Sequence, residues 1–227
     1  MLQLILAAAF FLGIHLGVSG TGLRFKLIES YGEKPYRIAF AIAASLGLIW
    51  LVYAWRGAPY LPLWGQPAIF RYLAVGLMPV AFYLVVVALT TKNPAMMGQE
   101  NILDRENGGI GPLRITRHPL MWGIALWALL HLLANGDWAA LVFFGSFLIL
   151  TVKGTFDIDR KRLREYGESW QRYMEKTSNL PFQAIVQGRQ KFDWRELSWW
   201  RIGVTLVVYG GLLHAHARLF GVSPLGF

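Results

Sequence analysis

Residues 116–155 read TRHPLMWGIALWALLHLLANGDWAALVFFGSFLILTVKGT, and this stretch sets the architecture of the chain. Two apolar runs, at 118–134 and 137–155, are separated only by a short polar turn. Each run approaches the ~20 residues that an α-helix needs to cross the hydrocarbon core of a bilayer. So short a connection makes consecutive helices antiparallel neighbours. The stretch therefore predicts a pair of transmembrane helices.

Four further segments, at about 2–20, 37–55, 68–90 and 199–219, have similar length and composition. The 227 residues are 55% hydrophobic, and only 15% are charged, against about 25% in an ordinary soluble domain. We therefore predict a single domain over residues 1–227: an all-α integral membrane bundle of about six transmembrane helices. The first segment has no basic residues before it, so we expect a retained helix rather than a signal peptide.

The net charge of +9 is distributed unevenly. Of the 22 Lys and Arg residues, 19 fall within 20–37, 91–117 and 153–201. By the positive-inside rule these segments are cytoplasmic, which places both termini on the other side of the cytoplasmic membrane. The charge is then a signal of topology, so we expect membrane lipid and no nucleic acid as a partner.

The segment that follows the fifth predicted helix is amphipathic. Leu163, Tyr166, Trp170 and Tyr173 recur at helical spacing among charged residues. This pattern predicts a helix at the cytoplasmic interface, and the alternative is an ordinary surface helix. The loop at 91–117 is rich in Gly, Asn and Pro, so we expect irregular structure there.

Histidines inside apolar segments are costly and therefore suggest function. His15 and His131 lie deep in predicted helices, whereas His118 stands at the cytoplasmic mouth, and His214 and His216 lie near the far end of the last helix. His118 and His131 are 220° apart around their helix at 100° per residue, so they cannot readily serve one site. For His15 and His131 the alternative role is a buried, hydrogen-bonded imidazole.

Depth and chemistry favour a haem. At ~1.5 Å per residue, His131 lies roughly 20 Å from the cytoplasmic mouth and His15 roughly 13 Å, and helix tilt could close this gap. His214, at about 21 Å, is a rival partner for His131. The chain has no cysteine, which excludes thiolate sites, and a zinc site usually needs three or four protein ligands. Bis-histidine haem is the simplest use for two buried imidazoles.

Three stretches together resemble the NnrU family. They are HLGVSGTGLR at 15–24, RITRHPLMWGIALWALLHLLANGD at 114–137 and GTFDIDRKRLREYGESWQRYMEKTSNLPFQAIVQGRQK at 154–191. The family includes plant and cyanobacterial 15-cis-zeta-carotene isomerases, and the plant enzymes are haem b proteins. The resemblance implies axial ligation by His15 and His131, and it implies a hydrophobic small-molecule substrate. Bacterial members are linked to nitrite and nitric oxide metabolism.

A remoter resemblance connects GPLRITRHPLM and the segment DIDRKRLREYGESWQRY to isoprenylcysteine and phospholipid methyltransferases. In those enzymes an RHP motif and an acidic helix hold S-adenosylmethionine. Leu113 and Met121 stand where that family often has tyrosine, which argues against retained methyl transfer. We expect instead that Arg117 and His118 close the bundle or contact a haem propionate. The expected charge cluster comprises Arg114, Arg117, His118, Asp157, Asp159 and Arg160.

Three function classes remain open from the sequence. The first is a haem-dependent isomerase or redox enzyme acting on a hydrophobic polyene. The second is a non-catalytic haem or nitric oxide-handling protein, and the third is a methyltransferase that uses Arg117 and His118.

Overall fold

The computed structural model describes residues 1–96, 98–99, 102–103 and 111–226. The chain is 76% helical, and no strand occurs in these described ranges. The predicted all-α membrane bundle is confirmed. The irregular loop expected at 91–117 lies partly outside the described residues.

The helices follow the predicted segments closely. The third predicted segment, 68–90, coincides with its helix, and the others begin or end within a few residues of the expected positions, except at the basic segments described below. The helices are α1 Leu2–Leu12 with a π-helical continuation Gly13–Ser19, α2 Leu23–Tyr31, α3 Glu33–Arg56, α4 Ala68–Thr90, α5 Pro119–Asn135, α6 Trp138–Lys176, α7 Gln183–Val186 and α8 Trp199–Phe220, with 3-10 turns at Gly111–Arg114 and Trp194–Leu197.

Five helices among the described residues are long and apolar enough to cross a membrane, counting α1 with its continuation, α3, α4, α6 and α8. The sixth predicted span, α5, is apolar but has 17 residues. Its end is fixed by Gly136, which has φ of 60°. A Cβ added there would stand 1.8 Å from the Gly65 carbonyl oxygen. Only glycine fits this turn, so α5 cannot be extended.

The two ends of the bundle differ in charge. Met1 packs against the same core cluster as Trp55 and Ala58, and Gly226 lies beside Arg71, so both chain termini stand at one end, called here the terminal end. The opposite end, called the basic end, carries 18 of the basic residues that the structure describes, in 20–37, 91–96, 111–117 and 153–201. Which side of the membrane each end faces stays a prediction.

The basic end contains more helix than predicted. The segment expected as a loop at 20–37 includes α2, flanked by Gly22 and Gly32. The predicted interfacial helix is helical, but it continues α6 without a loop. At 1.5 Å per residue, the 29 residues of α6 before a break at Gly167 already extend about 44 Å, more than the ~30 Å thickness of the hydrocarbon core. The helix is therefore longer than one crossing requires, and its charged end reaches past the apolar layer.

A break in this long helix occurs at Gly167, whose φ of 50° and ψ of −124° are not helical. Such a backbone is open to glycine and strained for other residues. Beyond the break, Trp170 and Tyr173 are buried, whereas Leu163 and Tyr166 before it are exposed. The predicted amphipathic face thus packs against the protein only over its second half.

Small and aromatic side chains form the core near the terminal end. Ala7, Ala8 and Phe11 of α1 pack in one cluster with Ala128 of α5. The rings of Phe143 and Phe144 from α6 belong to the same cluster. The small residues let the helices approach closely, and the rings fill the space between them. This cluster borders the two deep histidines.

Candidate functional site

His15 lies in the π-helical turn that continues α1. Its Nδ1 is 2.8 Å from the Phe11 carbonyl oxygen, one turn earlier. The ring contacts those of Phe11 and Phe40, at 4.6 and 5.3 Å between centroids. π-Helical turns are rare and are frequently found at functional sites. The Phe11 carbonyl fixes the tautomer, so Nε2 is the nitrogen left to bind another group.

His131 has the same arrangement on α5. Its Nδ1 is 2.9 Å from the Trp127 carbonyl oxygen, and its ring stacks on Phe144 at 5.0 Å between centroids. The ring of His216 from α8 lies 6.5 Å away at an interplanar angle of 21°. His131 is therefore held by the backbone, enclosed by aromatic rings and faced by a second imidazole.

The structure separates His15 from His131. Phe11, which contacts the His15 ring, also contacts Phe147 of α6, and Phe147 contacts Trp127, which contacts the His131 ring. Phe11 is level with Phe147, and Gly20 lies beside Asp157, which places His15 about seven residues, or roughly 10 Å, nearer the basic end than His131. No ring contact joins the two imidazoles in the described part of the chain.

The sequence named His214 as the rival partner of His131, but the ring that lies beside His131 in the structure is that of His216. His214 is exposed, whereas His216 is half-buried beside His131. The two residues stand 200° apart around α8 at 100° per residue. The packing of α8 on its neighbours decides whether His214 or His216 faces inward. Depth along the helix does not determine this.

At the basic end, Arg117 and His118 converge on one carboxylate. Arg117 donates from Nε and Nη2 to the two oxygens of Asp159, at 2.8 and 2.5 Å. His118 Nε2 lies 2.9 Å from Oδ1 of the same residue. The three side chains are only 5%, 2% and 10% exposed. This cluster, the Asp159 cluster, joins the start of α5 to α6.

The polar segment after α6 completes the Asp159 cluster. Asn179 donates from Nδ2 to Asp159 at 2.9 Å, and its carbonyl accepts from the Thr116 hydroxyl at 2.6 Å. The Ser178 carbonyl accepts from the Arg117 amide at 2.9 Å. Sequence reasoning missed these residues. The polar run Thr-Ser-Asn before a proline is a weak signal, because only the tertiary fold brings it to Arg117.

The charge states in the Asp159 cluster follow from burial and pairing. Burial alone would raise the pKa of Asp159, but hydrogen bonds from Arg117 and His118 hold that pKa well below its usual range. Burial lowers the pKa of His118, and the Asp159 carboxylate offsets only part of this effect. His118 is therefore neutral near pH 7 and donates its Nε2 proton to an ionised Asp159.

The expected larger charge cluster does not form. Arg114 pairs with Glu196 at 2.7 Å. Asp157 pairs with Lys153 at 2.5 Å and with Arg160 at 3.3 Å, both on α6 itself. Asp157 and Asp159 are two residues apart on one helix and face opposite sides. Only Asp159 can therefore meet Arg117.

Several buried polar atoms beside the Asp159 cluster have no hydrogen-bond partner: the Tyr173 hydroxyl, the Ser178 hydroxyl, the Asn179 Oδ1 and the Trp170 Nε1. Buried groups of this kind usually bond to protein or to an internal water. Burial raises the pKa of Tyr173, so its hydroxyl keeps its proton and can donate.

No group of three or more His, Asp or Glu side chains in the described ranges is arranged to hold a metal ion. A zinc site with three or four protein ligands therefore does not fit these residues. Paired imidazoles are the arrangement that the histidines can offer.

Comparison with known proteins gives one family and two relatives. The model of the NnrU protein family matches residues 3–224. The 15-cis-zeta-carotene isomerase of Zea mays chloroplasts is 30% identical over 200 residues, which are 83% of this chain and 51% of that protein. The Arabidopsis thaliana chloroplast enzyme of the same name is 32% identical over 203 residues, which are 84% of this chain and 51% of that protein.

The chain thus spans about half the length of these two relatives. No solved structure matches it. The family match extends over nearly the whole chain, including every membrane helix and the Asp159 cluster. The protein is therefore a membrane protein of the NnrU family.

Proposed function

We propose that this protein binds haem b and acts as an isomerase or redox protein on a hydrophobic polyene. The orientation of His131 carries the proposal. Its Nδ1 bonds to a carbonyl, and its Nε2 forms no hydrogen bond to a described residue. Metal-binding histidines are usually held in this way, with one nitrogen fixed by a backbone carbonyl and the other left for the metal.

The donor chemistry of the chain fits the cofactor. His131 would supply one axial nitrogen, and His15, which the family resemblance names as the other ligand, has its Nδ1 held in the same way. Haem iron, when bound by these imidazoles, would supply an electrophilic centre whose redox state can change. Pairing His15 with His131 would require α1 or α5 to shift along the bundle, because His15 lies roughly 10 Å nearer the basic end than His131.

The surroundings of His131 suit chemistry away from water. Trp127 and Phe144 enclose its ring, and an apolar enclosure strengthens the electrostatic effect of any bound charge. Arg117 and His118 belong to the other end of α5 and are engaged by Asp159. We assign them to closing the basic end of the bundle rather than to contacting the cofactor.

The proposed substrate class follows from the relatives and from the surface. Both relatives are named for isomerising zeta-carotene, and this chain exposes large apolar residues along its spanning helices, among them Ile49 and Val207. A polyene dissolved in the bilayer could reach such a surface without passing through water. The whole activity of the longer relatives is proposed here for a chain of about half their length.

The test is an absorption spectrum of the detergent-solubilised protein in oxidised and dithionite-reduced forms. We expect the Soret and α/β bands of low-spin, six-coordinate haem b. A polyene isomerisation assay with the reduced protein then separates the enzyme from the alternative, a non-catalytic protein that handles nitric oxide. Tight nitric oxide binding without isomerisation would select that alternative, and absence of haem would overturn both.

S-Adenosylmethionine should not stabilise the protein. Arg117 and His118, which would hold it in a methyltransferase, are nearly inaccessible and are bonded to Asp159. We expect no shift of the thermal unfolding midpoint up to millimolar S-adenosylmethionine, with adenosine as the matched control. A saturable stabilisation at micromolar concentration would contradict this and favour a methyltransferase.

We propose that the protein resides in the cytoplasmic membrane with its basic end inside. Because 18 of the basic residues that the structure describes lie at that end, the positive-inside rule retains it in the cytoplasm. A phosphatase reporter fused to the C-terminus should be active only outside the cytoplasm, and one inserted within 91–110 should be inactive. The reverse pattern would invert the topology.

A further inference from the structure

We propose that Arg24 and Lys161 bind the headgroup phosphate of an anionic phospholipid at the basic end of the bundle. Arg24 lies in the first turn of α2, and Lys161 lies on the charged part of α6. The site is separate from the deep histidines and from the Asp159 cluster, and it does not depend on the proposed function.

Both cations approach one carboxylate without forming a hydrogen bond to it. Arg24 Nη1 is 3.6 Å from Oε1 of Glu165, and Lys161 Nζ is 3.9 Å from the same oxygen. The other oxygen of Glu165, Oε2, is 3.3 Å from Nη1 of Arg162. Three cations therefore share this single carboxylate, and it neutralises the charge of Arg24 and Lys161 only in part.

The two cations are poorly exposed for groups that lack hydrogen bonds. The side chain of Arg24 is only 11% exposed and that of Lys161 only 27%, and neither donates a side-chain hydrogen bond to any residue that the structure describes. A guanidinium carries five N–H donors, and buried polar groups normally have partners. A phosphate group supplies acceptors for both side chains, and it pairs bidentately with a guanidinium.

The surroundings of Lys161 add positive charge. Burial and the nearby charges of Arg24 and Arg37 lower the pKa of Lys161, and Glu165 offsets only part of this effect. Asp157, one turn before Lys161 on α6, is already paired with two other cations. The first turn of α2 contains no acidic residue, so the positive end of the helix dipole is unopposed there. An added anion would therefore be stabilised at this site.

The depth of the site matches the headgroups of a bilayer. From Trp138 to Glu165, α6 extends about 40 Å at 1.5 Å per residue, and a bilayer with its headgroups is about 40–45 Å thick. Trp138 is exposed and is of the type found at headgroup level, so Glu165 reaches the headgroups of the opposite leaflet. Exposed Leu23 and Phe25 flank Arg24, which favours a lipid over free phosphate, since free phosphate has no apolar part.

Thermal unfolding of the detergent-solubilised protein tests the site. The probe is dioleoylphosphatidylglycerol, compared with dioleoylphosphatidylcholine and with inorganic phosphate. We expect phosphatidylglycerol to raise the unfolding midpoint saturably. Arg24→Gln and Lys161→Gln should each weaken its apparent affinity at least about tenfold, because hydrogen bonds between charged groups are strong. The matched controls, Lys26→Gln and Arg164→Gln, remove exposed cations from the same two helices and should bind the lipid like the wild type.

Glu165→Gln gives a readout that a merely structural role would not produce. It removes the competing carboxylate, so the affinity for phosphatidylglycerol should rise even where the midpoint without lipid falls. If Arg24→Gln does not fold, Arg24→Lys, which keeps the charge but not the planar fork, should still weaken binding in the same titration.

Equal stabilisation by phosphatidylcholine, or equal lipid affinity in Arg24→Gln and Lys26→Gln, would overturn the proposal. Stabilisation by inorganic phosphate but not by phosphatidylglycerol would assign the site to a free anion instead of a lipid. Loss of haem in Arg24→Gln with unchanged lipid affinity would assign Arg24 to the carboxylates of the cofactor and would likewise overturn the lipid site. The titration needs no haem, so its failure is distinguishable from failure of the proposed function.

Discussion

His131→Ala should abolish haem binding. His131 is the imidazole on which the proposed function rests, because its Nδ1 bonds to the Trp127 carbonyl and its Nε2 forms no hydrogen bond to a described residue. Loss of a residue that merely supports a ligand lowers metal affinity by about 10–100-fold, so loss of the ligand itself should exceed this. The haem-to-protein ratio, measured by the pyridine haemochrome method after membrane extraction, should fall to background.

The design must separate ligand loss from unfolding, because His131 also packs on Phe144. His131→Gly with millimolar imidazole supplies the missing nitrogen without the side chain, and we expect it to recover the low-spin spectrum. His214→Ala, on the exposed side of α8, should bind haem like the wild type. Full haem content with unchanged bands in His131→Ala would contradict the proposed function.

The histidines show what a sequence can predict about such a site. His15 and His131 can be singled out from the sequence because each lies far from either end of an apolar segment, where an ionisable side chain carries a high free-energy cost. Depth along the helices could not predict which histidine of α8 lies beside His131. His214 and His216 differ by about 3 Å in depth and by 200° in direction. The direction matters only once α8 has packed beside α5, which no periodicity in α8 itself predicts.

The spanning helices were predictable for the opposite reason. Their signal is the length of each apolar run, which is a local property, and the ends of α5 are marked by Pro119 and Gly136. The basic end was less predictable, because charged helices such as α2 resemble loops in hydropathy. The part of α6 after Val152 is also a charged helix that resembles a loop in hydropathy. The break in it depends on the backbone of Gly167.

The Asp159 cluster was half predicted. The sequence paired Arg117 and His118 with acidic residues on the next helix, since the short turn between α5 and α6 brings their basic ends together. It could not choose between Asp157 and Asp159 without knowing which face of α6 is buried. The contribution of Asn179 could not be predicted, because only the tertiary fold brings the segment after α6 back to the Asp159 cluster.

Asp159→Asn should destabilise the protein more than any other charge-neutralising change at the basic end. Arg117 is buried and bonds to both Asp159 oxygens, so the variant leaves an uncompensated guanidinium where water cannot reach it. Removing one partner of a buried ion pair costs about 3–5 kcal/mol. For a chain of this size, that corresponds to a fall of about 10 °C or more in the unfolding midpoint.

Asp157→Asn is the matched control for this change. It removes the same charge two residues away on the same helix, but its partners Lys153 and Arg160 are well exposed. Exposed pairs contribute about 0–1 kcal/mol, so the midpoint measured by thermal unfolding in detergent should hardly move. Equal midpoints for the two variants would mean that the Asp159 cluster does not hold α5 to α6.

A double variant shows whether the loss comes from the unpaired charge. Arg117→Met combined with Asp159→Leu replaces the pair by apolar side chains, a change that is often close to neutral in buried positions. We expect it to recover part of the stability lost in Asp159→Asn, because it removes the unpaired charge, although His118 and Asn179 lose their acceptor; this non-additivity is the signature of coupled partners. His131 lies at the other end of α5, so the haem spectrum should remain low-spin in the double variant while the stability varies. This result would mean that cofactor binding depends on the His131 end of α5, whereas the association of α5 with α6 depends on the basic end.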